Sequence, residues 1–105
     1  MNKERRRQLQ EITSELGEII NDIEVIKGRL DDTKCDIENV CEEEDESYNN
    51  LPESFQDGER GERMQEAISF MESSCDEIDN SLNSIEEVVG IIEEAITGLN
   101  DAINV

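Results

Sequence analysis

A chain of 105 residues with 29 acids, nine bases and a net charge of −20 is too short for more than one domain, and too acidic to bind nucleic acid or an anionic membrane directly. Hydrophobic residues make up 34% and aromatic residues 3%, thin for a packed globule but enough for a narrow helical seam. No apolar run approaches the roughly 18 residues that span a bilayer, and no signal-peptide pattern opens the chain. Three cysteines without metal-site spacing, Cys35, Cys41 and Cys75, read as reduced thiols, so a soluble cytoplasmic protein is expected.

The first predicted helix covers about residues 3–44. Leu9, Ile12, Leu16, Ile19, Ile23, Ile26, Leu30, Thr33, Ile37 and Val40 follow one another in alternating steps of three and four. That 3.5-residue period draws one seam along a helix and is the pattern of a coiled coil. Thr33 is its only polar member.

A loop is predicted over about residues 45–60, entered through the acidic run 42–46. Asn49-Asn50 and Pro52, the only proline, mark a turn, because Pro52 fixes its own φ and drives Leu51 out of the helical region. Pro52 suits the first position of a short helical turn ending at Phe55. Asp57 would cap the next helix before Glu59. Tyr48, Leu51 and Phe55 are expected to fold back and cover the last layer between the helices.

The segment Tyr48-Asn-Asn-Leu-Pro-Glu-Ser-Phe-Gln56, followed by Glu59-Arg-Gly-Glu-Arg-Met64 and Glu66-Ala67-Ile68, resembles a pattern in small acidic helical proteins of bacteriophages and mobile elements, mainly of Gram-positive bacteria. The likeness covers roughly a quarter of the chain and is most specific at Leu51-Pro52-Glu53-Ser54 and Arg60-Gly61-Glu62. Asp57-Gly58 stands where those proteins often carry a serine. Most of them have no assigned activity, so the resemblance implies a phage context and a helical hairpin, and supplies no mechanism.

The second long helix is predicted over about residues 61–104. Ile68, Met71, Cys75, Ile78, Leu82, Ile85, Val89, Ile92, Ile96, Leu99 and Ile103 keep the same alternation. Two seams of similar length joined by a loop predict an all-α fold: an antiparallel two-helix coiled-coil hairpin, one domain over residues 1–105. Pairing Val40 with Ile68 across the loop makes partner numbers sum to about 108. Ile37 then faces Met71, Ile23 faces Ile85, Leu9 faces Leu99, and Thr33 falls opposite Cys75. In that register Lys27 and Lys34 lie near Asp79 and Glu72.

On one flank of the second helix Ala67, Ser74, Ser81, Val88, Ala95 and Ala102 recur every seven residues, and none is charged. Ile20, Val25, Phe70 and Ile91 lie off both seams. A homodimer, two hairpins forming a four-helix bundle, would cover this surface, with Ala67, Val88, Ala95 and Ala102 as its contact row. Gly17, Gly28, Gly90 and Gly98 fall on outer faces.

No histidine is present, the cysteines sit among acids, and the outer faces of heptads offer no sheltered cleft, so no enzyme, cofactor or dedicated metal site is expected. A calcium loop starting at Asp45 would place Asn50 at its glycine and Gln56 at its bidentate glutamate, and fails at both. The acidic surface is the functional lead. Residues 1–41 hold ten acids and seven bases, residues 42–63 nine and two, and residues 64–105 ten and none. Spread over a rod of roughly 60 Å, the net charge approaches one per 3 Å, near that of a single DNA strand. An inhibitor of the anti-CRISPR or anti-restriction kind is the leading expectation, occupying a basic channel that normally holds nucleic acid. Its contact residues would be Glu42, Glu43, Glu44, Asp45 and Glu46, with Glu72, Asp79, Glu86, Glu87, Glu93 and Glu94. The alternative is a structural or assembly coiled coil acting through self-association or one helical partner.

Overall fold

The computed structural model describes every residue from Met1 to Val105 and is all-helical: α1 (Lys3–Asn49), the short α2 (Glu53–Gln56) and α3 (Glu59–Ile103). Asn2 starts α1 by accepting a hydrogen bond at its side-chain oxygen from the Arg5 backbone N–H, 2.8 Å away. The helix then runs past its predicted end near residue 44 and takes up the whole acidic run 42–46. Glutamate is a good helix former, and nothing breaks the chain before Asn50-Leu51-Pro52.

Pro52 sits just outside α2 with φ −57° and ψ 147°, and its carbonyl accepts from Phe55 and Gln56, so α2 begins one residue later than predicted. Asp57 ends α2, its N–H reaching the Glu53 carbonyl. The carbonyl that accepts the first bond of α3, from Glu62 N–H, belongs to Gly58, which takes the capping place expected of Asp57. Tyr48 and Leu51 are half-buried as a cover requires, but Phe55, also expected there, is 54% exposed.

Two devices close this connection. The Gln56 side-chain amide donates to the carbonyls of Tyr48 and Leu51, both at 3.1 Å; the Tyr48 carbonyl also accepts from the Leu51 N–H, so the amide ties the end of α1 to the turn that follows. Gly61 is buried, and a Cβ there would collide with the backbone of Gln56. Pro52, Gln56 and Gly61 together build the turn.

The chain divides into two compact units, Met1–Gly28 with Leu82–Val105, and Arg29–Ser81. In the first, Lys27 Nζ meets Glu86 at 2.8 Å and the Arg6 guanidinium donates to the Val105 carbonyl at 3.2 Å. In the second, Lys34 Nζ meets Asp79 at 2.7 Å and the Cys41 thiol lies 4.0 Å from the Ile68 carbonyl oxygen. In each unit a rising number on α1 meets a falling number on α3, so the segments run antiparallel. The core is thin. Val89 in the first unit, 8% exposed, and Cys75 in the second, 9% exposed, are the most deeply buried hydrophobic side chains, and none is fully buried.

On α3 every seam residue is buried or half-buried, as the sequence predicts. On α1 only one of the two seam rows is. Leu9, Leu16, Ile23, Leu30 and Ile37 are half-buried, whereas Ile12, Ile19, Ile26, Thr33 and Val40 are exposed. Thr13, Ile20, Lys27, Lys34, Cys41 and Tyr48 take the second row's place. The helix is turned so that the lysine stems cover apolar surface while their ammonium groups reach acids of α3. Ile20, expected off the seam, is thus part of it; Val25, Phe70 and Ile91 stay exposed. Cys75 lies beside Lys34 and Glu38, not opposite Thr33, which flanks Met71.

The lysine partners also differ from the prediction, each by one heptad: Glu86 for Lys27 and Asp79 for Lys34. In a helix each Cα–Cβ bond leans toward that helix's N-terminus. Between antiparallel neighbours the two leans converge when the acid lies further along α3, and diverge when it lies nearer the turn. The expected pairs were of the diverging kind.

Candidate acidic interaction surface

In the unit Arg29–Ser81, carboxylates from both long helices border one groove of about 540 Å³. Glu38, Glu42 and Asp45 come from α1, and Glu72, Asp76 and Asp79 from α3. They recur at steps of three and four, which returns them to one side of each helix. Lys34 is the only base in the groove, and Cys41, Cys75 and Ile68 complete its lining.

The thiols register the local potential. Burial first, then Glu72, Cys75, Asp45 and Glu42, push the Cys41 thiol above its ordinary pKa. Burial and Glu38 do the same for Cys75, against an opposing effect of Lys34. Neither thiol is activated as a nucleophile. Asp79, chiefly through its hydrogen bond, holds the Lys34 ammonium above its usual range. No three Cys, Asp or Glu side chains are arranged to hold a metal ion.

Consecutive residues on a helix point some 100° apart, so the acidic run cannot form one patch. Glu42 and Asp45 face the groove, Glu44 is half-buried in the row of Leu30 and Ile37, and Glu43 and Glu46 are exposed outside the groove. Glu72 and Asp79 join the groove, although Asp79 is already engaged by Lys34. Glu38 and Asp76 belong with them and were not anticipated. Their signal was available, since Glu38 lies four before Glu42 and Asp76 four after Glu72.

The remaining predicted acids lie in the unit Met1–Gly28 with Leu82–Val105. Glu86 is held by Lys27, whose hydrogen bond draws its carboxyl below the ordinary value. Glu87, Glu93 and Glu94 are exposed and make no ion pair. Of the expected self-association row, Val88 and Ala95 are exposed in this unit and Ala102 is half-buried; Ala67, half-buried, lies in the other. No helix is long and apolar enough to cross a membrane. Comparison with protein-family models, with curated proteins and with solved structures finds nothing that matches this chain.

Proposed function

We propose that the chain is a phage or mobile-element inhibitor that binds the basic surface of a host nucleic-acid-handling defence protein, such as a CRISPR effector or restriction nuclease. The observation that carries this is the groove of Arg29–Ser81, where six carboxylates face one lysine. Such a surface attracts lysine- and arginine-rich partners at range and repels nucleic acid. In this proposal the two long helices form an antiparallel coiled-coil hairpin acting in the host cytoplasm without catalysis or cofactor. Glu42, Asp45, Glu72 and Asp76 supply the main contact, and Glu87, Glu93 and Glu94, in the other unit, are further acids a basic partner can meet. The phage context is taken from the likeness of the turn segment.

The test is affinity capture from bacterial lysate with wild-type protein and a Glu42→Lys/Asp45→Lys/Glu72→Lys variant, washed at low and then high salt. A nucleic-acid-handling protein that wild type captures, salt releases and the variant misses supports the proposal. Equal capture by both chains would refute it. One observation favours instead a structural protein working through its own oligomer, namely the exposed isoleucine row of α1; there the charge reversals would leave function intact.

A further inference from the structure

The unit formed by Met1–Gly28 and Leu82–Val105 leaves an apolar face uncovered. Ile12 is 48% exposed, Ile19 36% and Ile26 48%, and they form a stripe on α1 with a repeat of about 10.5 Å. Lys27, which meets Glu86, marks one edge of the helix pair. The isoleucines lie on the far side of the Leu16 and Ile23 row from Lys27, and so on the opposite edge. On α3 that edge carries Val88, Ala95 and Ala102, on the far side of Ile85 and Ile92 from Glu86. In the other unit the same side of α1 is open as well, where Thr33, Ile37 and Val40, with Asp36, line a shallow groove against Met71 of the α3 seam. The face thus holds a row of large side chains beside a row of small ones, at one spacing.

We infer that a second copy of this chain packs on this face, related by a two-fold axis running along the helices. That rotation lays α1 of each copy on α3 of the other and leaves heights unchanged, so Ile19 meets Val88 of the second copy and Ile12 meets its Ala95. Each copy gives knobs and receives them, which makes the face self-complementary, as an isologous contact requires. Charge selects the same arrangement. The rim beyond the isoleucines carries Glu15 and Asp22, whereas the rim beyond Val88 and Ala95 carries Ser84, Ile91 and Gly98. Laying α1 on α3 sets acids against uncharged residues; laying α1 on α1 would set acids against acids.

Sedimentation equilibrium of the full chain at micromolar concentration and moderate salt tests the inference. The expected mass is twice 12.0 kDa, falling to 12.0 kDa for Ile12→Glu/Ile19→Glu with helicity by circular dichroism unchanged. A monomeric wild type would overturn it, as would a dimer that survives both substitutions. A second measurement removes dependence on those variants. With native cysteines replaced, chains carrying Ile12→Cys and chains carrying Ala95→Cys are mixed and oxidised. A disulfide between the two kinds of chain, in preference to either homodimer, is expected; preferential Ile12→Cys homodimers would refute the axis.

Discussion

Gly28 and Gly61 are one residue type in opposite circumstances. A methyl group added at Gly28 meets nothing within 4 Å, so Gly28→Ala gains helix propensity and should stabilise the chain by about 1 kcal/mol. At Gly61 the added atom strikes the backbone of Gln56, so α2 must move. That movement strains the connection and pulls the Gln56 amide from the carbonyls of Tyr48 and Leu51. Gly61→Ala should therefore destabilise by about 1–3 kcal/mol, an overpacking cost. Gln56→Ala, which removes the hydrogen bonds without the clash, should cost about 1 kcal/mol. Urea midpoints followed by circular dichroism rank the three. A Gly61→Ala midpoint equal to wild type would show that the close approach is not needed.

At the scale of the element, the face of α1 that turns inward is the one that brings Lys27 and Lys34 to acids of α3, and the two pairs are distinguishable by titration. Glu86→Gln should lower the melting temperature at neutral pH, because the carboxylate charge opposite Lys27 is removed, whereas Glu87→Gln should not. The Glu86 carboxyl is drawn below its ordinary 4.5, so its contribution is complete above that value and fades as pH falls through the lowered one. The gap between wild type and Glu86→Gln should accordingly close in acid, and melts across pH would show it. Lys34, raised above 10.5, has the opposite sign: its contribution holds below that value and is lost as pH climbs through the raised one. These pairs also explain what the sequence could and could not disclose. The seam of α3 was legible because each of its positions is apolar and its flanks are small or acidic. On α1 two adjacent rows compete. The more apolar one, Ile12 to Val40, stays exposed beside a row holding Ile20, Lys27 and Lys34, whose lysines meet acids 59 and 45 residues away. The turn was legible at Pro52, a local restraint, and illegible at Gln56, whose bonds close only in three dimensions. The acidic run was plain in the sequence, but helical twist sends its members in different directions, and the groove keeps only Glu42 and Asp45.

For the whole molecule, a net charge of −20 is set against just two cross-helix ion pairs, Lys27 with Glu86 and Lys34 with Asp79. Self-repulsion should outweigh those exposed attractions, so added salt should stabilise the fold. Between about 0.01 M and about 1 M salt the screening length falls from about 30 Å to about 3 Å, which erases the repulsion between helix faces while sparing contacts within the seam. The melting temperature should rise across that range. Two copies of the chain should also associate more strongly, since their meeting surface is apolar and their like charges are screened. Binding of a basic partner should weaken over the same range, because that attraction is the term being screened. The opposing signs are what make the measurement decisive. If capture fell with salt because the protein was unfolding, melting temperature and capture would decline together. A rising melting temperature with falling capture leaves screened attraction between the acids and their partner as the cause. A melting temperature that falls with salt would instead mean that the two lysine bridges hold the helices together against a repulsion too diffuse to matter.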